Sequence, residues 1–180
     1  MEKEFDINVD WRGFELHPET PKGGIAISRF FLEDRIQGMR ERIKTFATSF
    51  GILDMRLPER LQNTRSALAM AEYARDQDKL GTFRFLAMDA YWREGNDLED
   101  KNVLLGLAAA SGLDPQEAVA SSDLPEYLSR VDSIRDEANK MGIQGIPTFI
   151  IGTECVVGCQ PYKVLADAVL RVGGVPKRQA

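Results

Sequence analysis

Gly142-Ile143-Gln144-Gly145-Ile146-Pro147-Thr148-Phe149-Ile150-Ile151-Gly152 is the stretch whose reading decides the fold. Thr148 to Ile151 is a run of β-branched and aromatic residues, the composition of a strand. Pro147 stands at its mouth and lacks the N–H that a central strand needs. A proline there is a candidate cis bond, an isomer that chains adopt only where a tight turn demands it. The spacing therefore predicts a strand over 148–151, entered through a rigid turn at Ile146-Pro147.

Upstream, Phe5, Ile7, Val9 and Trp11 alternate with polar residues. That period of two predicts a strand with one wet face, on which Asp10, Arg12 and Glu15 are solvated. His17 to Gly24 is rich in turn formers and reads as a loop. Helical spacing begins at Ser28 and runs to Phe50. Its Phe31, Met39, Ile43, Phe46 and Phe50 share a face and are read as core. Asn63 or Thr64 caps a second helix reaching about Gln77. A third runs from near Lys79 to Glu94 and stops at Gly95. Asp100 caps a fourth over Lys101–Ala110. Asp114-Pro115 opens a fifth, with proline at its favoured first position. A sixth runs through Pro125 to Met141. Beyond the decisive stretch come a strand at 155–157, a helix from Pro161 to Val172, and a tail from Gly173 read as frayed. A helical block between strands suggests one α/β domain with an insertion.

Composition narrows the function. The chain has 180 residues, 43% of them hydrophobic and 28% charged, as expected of one globular domain. A net charge of −5 argues against a general nucleic-acid binder. No apolar run approaches the roughly 20 residues that span a bilayer, and Met1-Glu2-Lys3-Glu4 leads into no signal-like segment. The expectation is a cytoplasmic protein with no membrane partner. Two cysteines cannot make a disulfide-stapled scaffold. With His17 as the single histidine there is no zinc-ligand spacing, so no metal is expected.

Three stretches together resemble the DsbA-like thioredoxin-fold family, in its FrnE-like and 2-hydroxychromene-2-carboxylate isomerase branch. They are Val9-Asp10-Trp11-Arg12-Gly13-Phe14-Glu15-Leu16-His17-Pro18, the helical block carrying Asn63 to Leu68 and Ala90 to Asp97, and Gly142 to Leu165 with Cys159-Gln160-Pro161-Tyr162. The resemblance implies a thioredoxin-like α/β fold. Residues 1–26 and 142–174 would form its sheet-bearing part within a single domain of 1–180, and 27–141 an all-helical insertion. It also implies that Ile146, Pro147 and Thr148 form the cis-proline loop that holds substrate.

Members of the family open with a strand, a Cys-x-x-Cys or a serine-containing replacement, and a helix. This chain starts at what resembles the second strand, so the first core strand and the redox dithiol are expected to be missing. No catalytic residue is carried over.

Three functions stay open. The first is a thiol–disulfide oxidoreductase-like protein, truncated or degenerate as given, acting on protein or peptide thiols and disulfides. The second is a glutathione-dependent isomerase or transferase relative, glutathione being the cofactor only there. The third is a binding module that uses the Ile146-Pro147 edge. Cys155 and Cys159 are candidate redox thiols. On one extended strand they would stand about 13 Å apart, at ~3.3 Å per residue, beyond the roughly 7 Å between α-carbons that a disulfide tolerates. Pairing them needs a turn at Val157-Gly158, and the plainer reading is that Cys155 is a buried small hydrophobe. The apolar positions Ile7, Val9 and Trp11, lacking a neighbouring strand, suggest self-association into a homodimer.

Overall fold

The computed structural model describes residues 1–177, which form two compact units: His17–Ser133, and Met1–Leu16 with the chain from Ile134 onward. The divisions fall at 16/17 and 133/134, where the sequence had suggested 26/27 and 141/142. Residues 17–26 are stitched to the helical block, which moves the first boundary. Asn63 donates to the Thr20 carbonyl at 2.7 Å, and β1 (Ile25–Ala26) pairs antiparallel with β2 (Arg60–Leu61). Gly24 precedes β1 at φ +65°, and a β-carbon there would lie 2.5 Å from the Leu61 carbonyl oxygen. Only glycine fits.

The helices of this unit start and stop where local chemistry dictates. After a 3-10 turn at Ile27–Arg29 comes α1 (Glu33–Ser49), then α2 (Arg65–Asp76) and α3 (Leu80–Asp89). The last continues as a π-helical turn, Ala90–Glu94, closed by Gly95 at φ +75°. α4 (Lys101–Ala110) and α5 (Pro115–Ser121) are capped by Asp100 and Asp114, whose carboxylates accept from the first backbone N–H groups of each helix. α6 (Pro125–Lys140) follows and runs on into the other unit.

Ala69, Ala74, Ala108 and Ala118 are fully buried, so backbones approach closely around Met70, Phe83 and Val131. Tyr73 and Tyr127 meet edge to face with centroids 5.8 Å apart, and the Tyr73 hydroxyl donates to Glu117 at 3.0 Å. Burial, followed by that carboxylate, raises the Tyr73 pKa. The α1 expectation fails. Ile36 is buried, but Phe46 and Phe50 are exposed, because the 3-10 turn before it is the one element that α1 touches extensively.

Arg130 of α6 donates to Asp76 at the end of α2, at 2.7 Å, and that hydrogen bond holds the Asp76 carboxyl below the usual carboxylate range. A depressed folded-state pKa stabilises above the unfolded value and loses that contribution as pH falls through the folded one. Both side chains are about one-third exposed, so solvent screening keeps the pair to about 1 kcal/mol. Asp76→Asn should therefore cost about 1 kcal/mol at pH 7. It should also flatten the acid limb of the stability curve below about pH 4. Urea melts at a series of pH values read both.

In the other unit, β3 (Thr148–Ile151) and β4 (Glu154–Val157) form an antiparallel hairpin, followed by α7 (Tyr162–Arg171). Phe5, Ile134, Ala138, Ala168 and Val169 are its buried apolar residues. Buried Glu15 is paired with Arg135 at 2.8 Å. Arg171 grips Glu154 through two nitrogens, with Nε at 2.6 Å, tying α7 to β4.

The predicted strand over 5–11 is reduced to one bridge, Phe5 to Pro176. Asp6 N–H donates to the Val175 carbonyl and Lys177 N–H to Glu4 on either side of it. The ladder stops before Ile7 because Gly173 and Gly174, next along the partner segment, give their N–H groups to the Leu170 and Val169 carbonyls at the end of α7. Past Asp6 the backbone finds no strand, and Val9 N–H turns to the Glu2 carboxylate instead. The same bonds correct the frayed tail, since 175–177 are pinned; Arg178, Gln179 and Ala180 lie outside the described residues. The self-association drawn from Ile7, Val9 and Trp11 loses its strand. Ile7 and Val9 are half-buried and Trp11 remains 44% exposed. None of the described helices is long and apolar enough to cross a membrane.

Candidate functional site

The decisive stretch builds the site. Gly142 ends the α6 region at φ +72°, and the chain crosses Gly145 to a cis Ile146–Pro147 bond. Thr148 Oγ1 donates back to the Gly145 carbonyl at 2.7 Å, fixing the loop. Gly158, at φ +81°, donates its N–H to the Pro147 carbonyl at 2.7 Å and closes the open end of the hairpin. Gln160 donates to Val157 O at 2.9 Å, so Cys159-Gln160-Pro161 wraps that same end. Tyr162 then begins α7, and its hydrogen bond to Glu4 raises its pKa.

Antiparallel pairs alternate between bonded and non-bonded positions. The bond between Gly158 and Pro147 sets that alternation, so Phe149 and Ile151 face β4 with their N–H and C=O groups. Thr148 and Ile150 turn theirs to the opposite edge. Among the described residues neither they nor Ile146 has a backbone partner on that side. Thr148 and Ile150 thus present donors and acceptors two residues apart, the pattern an added strand needs, with unpaired Ile146 just ahead of them. Ile146 is 53% and Ile150 50% exposed, so apolar side chains flank this edge. Sequence reasoning named Ile146, Pro147 and Thr148 but missed Ile150. The period-two rule could have found it once Pro147 was taken as the start of the edge.

Cys155 lies opposite Ile150, and with Thr148 and Val157 it occupies the outward face of the hairpin. It is exposed, which corrects its reading as a buried hydrophobe. Phe149 and Val156 take the other face, as the alternation requires. Cys159 follows Gly158 and is also exposed; both thiols are free. The His17 ring pairs with Glu19 at 3.1 Å in an exposed loop, and its carbonyl accepts from Thr20 N–H. The Glu19 pKa is lowered, chiefly by backbone hydrogen bonding and then by His17. Asp89 is engaged by Arg93 and Glu94 by Asn96. The described residues contain no cluster of three or more His, Cys, Asp or Glu that could hold a metal ion.

This geometry can hold an extended peptide by its backbone beside two accessible thiols. Comparison with known proteins gives it a family. An uncharacterized protein of Bacillus subtilis (strain 168), YwbO, is 21% identical over 171 residues, covering 91% of this chain and 82% of its own. A probable DsbA oxidoreductase from Streptomyces coelicolor superposes with a TM-score of 0.80 at 21% identity, covering 94% of this chain and 77% of that one. A 2-hydroxychromene-2-carboxylate isomerase superposes at 0.76 and 18% identity, covering 93% and 82%. Both structures share the fold, and the model of the DSBA-like thioredoxin domain matches residues 1–170, so the chain belongs to that family.

Proposed function

We propose that this chain holds polypeptide thiols or disulfides on the edge formed by Ile146, Pro147, Thr148 and Ile150, as the substrate-binding platform of a protein disulfide oxidoreductase. One observation carries it: the backbone groups of Thr148 and Ile150, directly after the proline turn, and of Ile146 before it stand unpaired among the described residues, next to exposed apolar side chains. Main-chain hydrogen bonds of this kind grip an extended peptide whatever its sequence, and alternate side chains select it. The name of the Streptomyces coelicolor neighbour supports the redox assignment. Two free, exposed thiols suit a reducing, cytoplasmic setting.

Thiol–disulfide exchange needs a thiolate that attacks one sulfur of a disulfide and expels the other as thiolate. Cys155 and Cys159 do not form a Cys-x-x-Cys at a helix N-terminus, the arrangement that lowers a thiol pKa for this attack. The chain alone should therefore bind a disulfide-containing extended peptide yet reduce insulin no faster than a protein-free blank. Binding is read by perturbation of the amide signals of residues 146–151. Insulin turnover that disappears in Cys155→Ser would move the chemistry to the two cysteines. Peptide that leaves the 146–151 amides undisturbed would remove the platform.

The isomerase neighbour favours a second reading, in which glutathione occupies the same edge. Glutathione is itself a short extended peptide, so it would shift the same amides. Saturable shifts with glutathione and none with the longer peptide would select this reading.

A further inference from the structure

We infer that the groove between α1 and residues 55–59 is a binding site for a small zwitterion, a free α-amino acid with an apolar side chain. The groove has a volume of about 370 Å³, within the range of small-molecule sites. Gln37, Arg40, Glu41 and Lys44 line one wall, at the i, i+3, i+4 and i+7 positions that share a helix face. Met55, Arg56, Leu57 and Glu59 line the other. That second wall is pinned to the π-helical turn. Arg56 N–H donates to the Trp92 carbonyl at 2.6 Å, and Arg93 Nε donates to Asp54 at 2.7 Å. A wall held in place before the ligand arrives lowers the ordering cost of binding.

The charges of the groove are left uncompensated by the chain. Three cations and two carboxylates line it, yet none of the cations pairs with either carboxylate. Lys44, Arg56 and Glu59 have no ion-pair partner among the described residues. Arg40 reaches Glu33 only at 3.5 Å, and Glu41 accepts from Gln37 through Oε1, which leaves Oε2 open. Opposite charges held apart across a groove are what a zwitterion bridges. Its carboxylate suits Arg56, whose guanidinium meets such a group bidentately, with Arg40 and Lys44 adding charge. Its ammonium goes to Glu59. The two carboxylates also repel the several charges of a polyphosphate, so a ligand with one anionic group is selected. Met55 and Leu57 are half-buried and give the ligand's side chain an apolar floor.

Titration calorimetry with free leucine tests the site. Leucine should bind saturably and, by mass action, raise the melting temperature. N-acetylleucine lacks the ammonium and leucinamide lacks the carboxylate, and each should bind at least about tenfold more weakly. Leucinamide carries the ammonium of a peptide N-terminus, so its weaker binding separates a free amino acid from a chain end. Arg56→Gln should weaken leucine at least about tenfold, and Lys44→Gln, on the opposite wall, in the same direction. Glu59→Gln should erase the preference for leucine over N-acetylleucine. All three side chains are exposed, so the melting temperature without ligand should not move. No binding at millimolar leucine overturns the inference. So does leucine binding that survives Arg56→Gln, because it would then lie elsewhere. N-acetylleucine binding as tightly as leucine, or inorganic phosphate displacing leucine at equal concentration, overturns it too, reducing the groove to an unspecific positive patch.

Discussion

Replacing Phe83 with alanine should lower the free energy of unfolding by about 3–5 kcal/mol, the cost of deleting a buried ring from a core that relaxes only partly. Phe83 is 1% exposed at the centre of the helical unit and has the largest side chain among its fully buried residues. It shares its core cluster with alanines on α2, α4 and α5, whose short side chains cannot swing in to fill the space. Phe85, two residues on along α3, is 62% exposed, so Phe85→Ala should change stability by no more than about 0.5 kcal/mol. Two substitutions of the same type, one turn apart or less, thus separate burial from helix propensity. Urea denaturation followed by circular dichroism gives both values. Equal effects would mean that Phe83 is not the centre of this core.

Ile150→Pro should abolish peptide binding at the hairpin edge while leaving the hairpin folded. The alternation set by Gly158 N–H on Pro147 O turns the Ile150 N–H away from β4, so removing it breaks no bond within the hairpin. Proline is tolerated at such an outward position of an edge strand. A peptide docked on that edge would lose a main-chain hydrogen bond and meet the pyrrolidine ring, and binding should fall at least about tenfold, which is 1.4 kcal/mol. Phe149→Pro is the opposite case: it removes an N–H directed at β4 and should lower the melting temperature as well. Unchanged affinity in Ile150→Pro, with the 146–151 amides still responding, would place the contact on side chains instead of the backbone.

Much of the helical unit is legible in the residues themselves, because its determinants act within three or four positions. Asp100 and Asp114 cap the helices directly after them, Pro115 sits where a missing N–H costs nothing, and Gly95 ends the π-helical turn in a left-handed conformation. The strand over 148–151 is local in the same sense, its β-branched run being fixed by the proline before it and the glycine after. The resemblance of three separated stretches to one family is equally a property of sequence, and residues 1–170 match that family.

What the sequence could not determine is which faces meet. The alternation over 5–11 is a strand pattern, but a strand needs a partner, and past Asp6 the backbone meets only Gly173 and Gly174, whose N–H groups are already held by the end of α7. The period of α1 says that one face is apolar, not that anything lies opposite, and Phe46 and Phe50 are left open. Cys155 could occupy either face of its strand until the bond between Gly158 and Pro147 fixed the register. β1 and β2 are two residues each, too short to carry a pattern, and they pair across more than thirty residues of chain. Local hydrogen bonding and backbone sterics are written residue by residue, whereas burial is a relation between surfaces that only the folded chain brings together.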